Sequence, residues 1–306
     1  MRKVIGIGET ILDIIIRDGK PTGAVPGGST FNTMVSLGRM DTPAVFLTDL
    51  GDDHVGSVIR EFMKDNGVDD TFVSVWPDKQ SPVSLAFLDK DNNAQYEFYR
   101  QPFPTEREPV LPEVTADDVV VFGSYYALDP ATRPSVAALL SLARERGALI
   151  VYDVNFRVNH RAEAVKLTGT LLENLEFADI IRGSNEDFRI LYGLADSEAV
   201  YKQQTAFYCP RLVYTCGAEG VRLHAGGGVS RSYESLPVPA LVSTIGAGDS
   251  FNAGLIYGLL RYRVRRADLD NLTADDWDYI IGCALAFAAN TCQSLENYVD
   301  RGFQVK

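Results

Sequence analysis

The chain has 306 residues, 46% of them hydrophobic, enough to bury a full core in one large domain or two modest ones. Its formal net charge of -12 excludes a surface that tracks nucleic acid or anionic lipid, because both need Lys and Arg to neutralise phosphates. No run reaches the roughly 20 apolar residues of a membrane span, and the opening MRKVIGIGETILD is broken by Glu9 and Asp13 too early for a signal peptide, so a cytoplasmic location with no membrane or nucleic-acid partner is expected.

In chain order, LDIIIRDGKPTGAVPGG turns at Asp18-Gly19 and predicts a hairpin. TFNTMVSLGRM and HVGSVIREFMKDNG carry apolar residues at three- and four-residue spacing and predict helices. SPVSLAFLDKDNNAQYEFYRQP has two alternating runs around Asp89 to Asn93, a second hairpin. The two hairpins, about 14–26 and 82–101, are expected to form a small antiparallel sheet outside the main one, suited to a lid. VWPDKQSP and QPFPTEREPVLPEV bracket the second hairpin rather than dividing the chain, so 1–306 reads as one domain.

From there DVVVFGS, ALIVYDVN, ADIIRGSN and RLVYTCGAEG read as buried strands, alternating with the helical RPSVAALLSLARERG and AVKLTGTLLENLEF. That alternation is the α/β pattern of a mostly parallel sheet covered by helices. Ligands of such sheets sit outside the carboxyl ends of the strands. Cys209, Cys216, Cys283 and Cys292 lack C-x-x-C spacing and are expected as buried thiols. His54, His160 and His224 are isolated and expected on surfaces or loops.

VSTIGAGDSFNAGLIYGLL then places Gly246, Ala247, Gly248 and Asp249 directly before an apolar helix. Free N–H groups at such a helix start, with the positive end of its dipole, form an anion site that needs no side-chain cation. Asp249 fits two roles there, an N-cap or a base beside a transferred phosphoryl group. No G-x-x-x-x-G-K-[ST] is present. A turn at Gly6-Ile7-Gly8 would lack the third glycine of the dinucleotide fingerprint.

Thr244-Ile245-Gly246-Ala247-Gly248-Asp249 resembles the D-T-x-G-A-G-D signature of the PfkB, or ribokinase-like, carbohydrate kinases. Gly27-Gly28-Ser29-Thr30-Phe31-Asn32, then Leu37-Gly38 and Gly51-Asp52-Asp53-His54-Val55-Gly56, is similar to the family's N-terminal signature, and Gly8-Glu9 with Asp13 to its first substrate strand. Asp153-Val154-Asn155-Phe156-Arg157, Ser184-Asn185-Glu186 and Thr215 through Gly220 fall in the family's order. The resemblance implies a three-layer αβα fold with an antiparallel β lid, and transfer of the γ-phosphate of ATP, with Mg2+, to a sugar hydroxyl. It makes Asp249 the base, acting as a cap as well, and the amides of Gly246, Ala247 and Gly248 the anion hole.

By the same resemblance Asp13, Gly28 and Asn32 hold sugar hydroxyls, and Arg157 meets the substrate or the phosphates; Arg100, with Tyr96 and Phe98 on the expected lid hairpin, is placed to stack on or bond to the substrate. Asn185, Thr215, Gly217, Gly220 and Asn290 contact the nucleotide, and Glu186 orders the metal's water shell. The family's N-x-x-E would put an acid where this chain has Phe188, so Glu186 or Asp187 is expected to substitute. Ser243 stands where the signature has Asp, which argues against potassium activation. Fructose is the expected substrate and 2-keto-3-deoxygluconate the alternative, with a retired sugar-sensing protein as the competing class. A homodimer through the lid is a further implication.

Overall fold

The computed structural model describes residues 2–88, 94–104 and 109–305. The expected turn at Asp89 to Asn93 lies outside the described residues, as do positions 105–108. The N-terminal third contains β1 (Val4–Ile7), β2 (Ile11–Arg17), β3 (Lys20–Gly27), α1 (Ser29–Arg39), β4 (Ala44–Leu47), β5 (Asp49–Gly51), α2 (His54–Asp65), β6 (Val68–Asp69), β7 (Ser74–Trp76), β8 (Val83–Leu88) and β9 (Ala94–Tyr99). Next come β10 (Val119–Gly123), α3 (Arg133–Arg146), β11 (Leu149–Asp153), α4 (Ala164–Phe177), β12 (Ile180–Ser184), α5 (Asn185–Tyr192), α6 (Ser197–Val200) and β13 (Leu212–Thr215). The chain closes with β14 (Val221–Ala225), β15 (Val229–Tyr233), α7 (Ala247–Arg261) and α8 (Ala274–Thr291).

Nine strands form the main sheet in the order β15-β14-β13-β12-β11-β10-β1-β4-β6. From β6 to β13 every pairing is parallel, and β14 and β15 add antiparallel strands at the far edge. Because side chains alternate across a strand, the all-apolar β10 feeds both faces. Val119 and Val121 join Phe31, Phe251 and Phe287 of α1, α7 and α8. Val120 and Phe122 join Leu139, Leu140 and Leu171 of α3 and α4. Burial on both faces is why these strands read as continuous apolar runs. The result is three layers, helix, sheet and helix, as the resemblance implies.

Each expected hairpin is present and antiparallel. In β2–β3 the turn residues Asp18 and Gly19 both have positive φ, at 51° and 72°, as a tight hairpin turn requires. The β8–β9 pair has the same sense, and the two hairpins join edge to edge through a parallel β2–β8 pairing in a four-stranded sheet. Asp53 caps α2 by accepting from the Gly56 N–H at 2.7 Å, and accepts from the Ser81 N–H at 2.8 Å, so the GDDHVG stretch ties α2 to the start of the second hairpin. Three of the four cysteines are buried. Two expectations change. Gly6 lies within β1 rather than in a turn, and His224 is buried on β14, stacked on Tyr201 at 4.8 Å, because the strand's inward face takes it under α6.

Candidate active site

The carboxyl ends of β1, β11, β12 and β13 converge on the starts of α1 and α7. Gly246 precedes α7 with φ 78°, and a side chain there would collide with the Asn297 carbonyl. That left-handed residue turns the chain into the helix with its first N–H groups outward. Ala247 donates to the Thr244 carbonyl at 3.3 Å, whereas the N–H groups of Gly246, Gly248 and Asp249 have no acceptor among the described residues. The helix mouth therefore has three open donors, and Ala247 supplies the turn that presents them.

Asp249 makes no capping bond to its own helix. Its expected second role as cap is thus replaced by bonds across to α1. Ser29 Oγ donates to Oδ1 at 2.8 Å and Asn32 Nδ2 donates to Oδ2 at 2.8 Å, while Thr33 Oγ1 donates to the Asp249 carbonyl at 2.9 Å. A buried hydroxyl chain, Ser36–Ser250–Thr291, with separations of 3.3 and 2.7 Å, locks α1, α7 and α8 one turn deeper. Burial raises the Asp249 carboxyl to about 6; the Asn32 and Ser29 bonds and Arg157 oppose the rise, and Asp153 adds to it.

The residues expected to meet the sugar come from α1, the four-stranded sheet and the segment after β11. Gly28 starts α1 with φ 131°, and a side chain there would collide with the Glu9 carbonyl. Asn32 is buried, and its Oδ1 has no donor. Asp13 lies in the middle of the lid sheet, between Val25 and Ser84, and accepts from Ser84 Oγ. Burial raises the Asp13 carboxyl, and the bond from Ser84 opposes it. Arg157 is exposed after β11, where its charge acts on both Asp249 and Tyr96 of the lid. Arg100 instead pairs with Glu9 at 3.6 Å, and with Glu9, Thr10, Tyr125 and Tyr126 it lines a cavity of about 330 Å³ whose wall does not include Asp249.

On the nucleotide side, Thr215 ends β13 with its hydroxyl accepting from Arg182 at 3.0 Å. Gly217 opens a short 3-10 turn with unobstructed space around it, while Gly220 closes that turn against the Tyr233 carbonyl. Asn185 and Glu186 are exposed at the start of α5. The Asn290 amide donates to Asp300 at 3.0 Å and accepts from the Asp300 N–H at 2.8 Å, closing the tail onto α8. One expectation fails here. Asp187 does not replace the missing acid at 188, because its carboxylate accepts from the Ser184 N–H at 2.6 Å in a capping box and from the Phe156 N–H at 2.8 Å.

Among the described residues no cluster of three potential metal ligands exists. The exposed oxygens of Asn185 and Glu186 suit outer-sphere contact with a hydrated Mg2+, which keeps several of its waters and binds chiefly through phosphates. Sequence reasoning assigned no role to Ser29, Asp153 or Arg182, which the structure joins to Asp249 and Thr215. The available signal was Arg182 itself, a charge inside the apolar ADIIRGSN run.

The model of the pfkB family carbohydrate kinases matches residues 1–298. The chain belongs to this family. It is a phosphotransferase acting on a sugar hydroxyl. The pfkB relatives include the aminoimidazole riboside kinase of Salmonella typhimurium, 26% identical over 96% of this chain and 89% of that protein. The fructokinase of Rhizobium leguminosarum bv. trifolii is 27% identical over 84% and 79%. Among solved structures, the Salmonella enterica aminoimidazole riboside kinase, complexed with aminoimidazole riboside and an ATP analog, superposes with TM-score 0.81 at 23% identity, covering 96% of this chain and 94% of that one. The Vibrio cholerae fructokinase, in its fructose-, ADP- and calcium-bound form, gives 0.80 at 21%, covering 97% and 94%.

Where the family motif would have an acid, Phe188 is fully buried, stacked on Tyr214 at 5.6 Å and packed against Gly183. Phe188→Glu is therefore expected to cost about 4 kcal/mol or more through the lost ring and an unpaired buried charge, read as a lowered Tm. A variant that folds as well as the parent and gains magnesium affinity would overturn this placement.

Proposed function

We propose that this pfkB kinase is an ATP-dependent fructokinase, with Asp249 as the base. The reading rests on one observation: Asp249 is held from α1 by Ser29 and Asn32 beside N–H groups that have no acceptor among the described residues. As the sugar hydroxyl oxygen bonds to the γ-phosphorus, its proton passes to Asp249 and ADP departs. The amides of Gly246, Gly248 and Asp249 meet the charge on the phosphoryl oxygens. Asp13, Gly28 and the free Oδ1 of Asn32 would position the sugar, and Thr215 and Gly217 would flank the nucleotide. Asn185 and Glu186 would hold the water shell of Mg2+, which when bound offsets phosphate charge.

A neutral ketose suits the cleft better than a keto acid. Arg100 is already paired with Glu9, which leaves Arg157 as the cation acting on Asp249 from the sugar side. The near-equal similarity to an aminoimidazole riboside kinase favours a riboside as the second reading. The held carboxylate and open amides speak against a retired sensor. ADP release with Mg2+ across fructose, 2-keto-3-deoxygluconate, ribose and aminoimidazole riboside tests the order, with fructose expected to give the highest kcat/KM. A riboside preferred tenfold or more would replace the fructose reading.

Asp249→Asn is expected to retain ATP binding and folding and to lower kcat by about a thousandfold or more, within the range covered by removal of a general base and its charge. Because the active form is the carboxylate and its proton affinity is raised to about 6, kcat/KM should fall tenfold per pH unit below about 6 and level off above it. Unchanged turnover in the variant, or an acid limb near the ordinary carboxylate range, would remove Asp249 from this role.

We further propose one domain whose lid is formed by segments 14–26 and 82–101, and a homodimer formed through that lid. Phe87, Phe98 and Tyr99 are exposed on β8 and β9, and β9 is an edge strand, a surface that natural proteins cover or pair. Light scattering is expected to give twice the chain mass, reverting to one chain mass on Phe98→Lys with Tyr99→Lys; a monomeric parent would exclude the dimer.

A further inference from the structure

A guanidinium in a buried parallel strand is costly unless its bonds are met, and Arg182 on β12 is 7% exposed. Its Nη1 donates to Asp153 Oδ1 at 3.0 Å and its Nη2 to Thr215 Oγ1 at 3.0 Å, while Nε has no partner. Nη2 also lies 3.0 Å from the point where a Cβ on Gly248 would stand, and the guanidinium carbon is 5.8 Å from the Phe251 ring centre. One planar group therefore touches the end of β13, the acid of β11 and the underside of the helix mouth.

Asp153 leads back to Asp249. Ser29 Oγ is 2.8 Å from Asp249 Oδ1 and 3.3 Å from Asp153 Oδ2. A hydroxyl has a single hydrogen to donate, so the two carboxylates compete for it. Arg182 satisfies Asp153 from the other side.

We infer that Arg182 is a positioning residue for phosphoryl transfer: its charge beneath Gly248 supports the open amides, and its hold on Asp153 leaves the Ser29 hydrogen to Asp249. The inference deepens the kinase reading and rests on it. No new covalent step is involved. The sugar hydroxyl proton still passes to Asp249 and the phosphoryl group still passes from ATP to the sugar oxygen.

The charges facing Asp249 are Asp153 from β11, Arg182 from β12 and Arg157 after β11, with Ser29 and Asn32 donating from α1 and the Tyr298 hydroxyl nearby. Loss of Arg182 removes a cation and leaves Asp153 uncompensated, and both changes favour the protonated form of Asp249.

The experiment compares the full chain with Arg182→Met, Arg182→Lys and the double variant Asp153→Asn with Arg182→Met, measuring kcat and the pH dependence of kcat/KM by ADP release. Arg182→Met is expected to lower kcat by at least about tenfold and to move the acid limb up by about one pH unit. The lysine, a point charge that cannot fork to both partners, should hold the limb near its parental position with a smaller loss of kcat. In the double variant the limb should return towards the parental position while kcat stays low; this arm also decides the matter if Arg182→Met does not fold. A parental kcat in the double variant, or an unmoved limb in a folded Arg182→Met, overturns the inference. Absence of sugar-dependent ADP release in the parent would instead overturn the kinase reading itself.

Discussion

The site depends on a carboxylate fixed by a helix to which it does not belong. Asp249 stands in the first turn of α7, yet its side chain is bonded to Ser29 and Asn32 of α1, more than two hundred positions earlier. The consequences spread through the packing. Thr33 takes the Asp249 carbonyl, and Ser36, Ser250 and Thr291 continue the bonding one turn deeper into α8. With these contacts the helix mouth cannot rotate independently of the cleft floor, so the carboxylate and open amides keep one geometry. In the proposed role of Asp249 such preorganisation matters because a carboxylate is a weak base; most of the catalysis would have to come from alignment and from charge already in place.

Charge supply is the second constraint. A chain with net charge -12 offers phosphate little long-range attraction. The attraction has to be local, and the fold concentrates it in three forms: N–H groups with no internal acceptor, the dipole of a fifteen-residue helix, and a guanidinium sealed behind the turn. Sealing the cation keeps it from being matched by bulk water, and Asp153 keeps it from being an isolated buried charge. The same acid then presses on Asp249 from the opposite side and helps hold its proton affinity up. In the proposed mechanism, base strength and phosphate affinity would therefore be coupled through one ion pair.

Much of this was legible in the sequence, for physical reasons that differ from element to element. The strands ending at Gly123, Asp153 and Thr215 are near-continuous apolar runs because helices cover both faces, and such runs announce themselves; the one ending at Ser184 is interrupted by Arg182. The Asp18-Gly19 turn and the Gly246 turn follow from local chemistry alone. What stayed hidden was pairing at long range. Whether Asp249 capped its own helix or faced another was undecidable from neighbours within four positions. The pairing of Asn290 with Asp300 is one such case, because Asp300 lies on a tail whose path local sequence does not fix. Asp187 looked like a spare acid, and only the fold of the Asp153 to Arg157 loop shows that the Phe156 N–H claims it.

The lid shows how the same logic reaches specificity. Asp13 occupies the centre of a four-stranded sheet, bonded to Ser84 of the second hairpin, so its orientation depends on the parallel β2–β8 seam joining the two hairpins. Glu9, at the end of the same stretch, takes Arg100 as it leaves β9. One hairpin thus holds the Asp13 carboxylate in a fixed orientation, while Glu9 of the segment before it pairs with Arg100. On the proposed reading, a preference for a neutral polyol would draw on the Arg100–Glu9 pair, half-exposed at 3.6 Å, as well as on hydrogen bonds to the sugar.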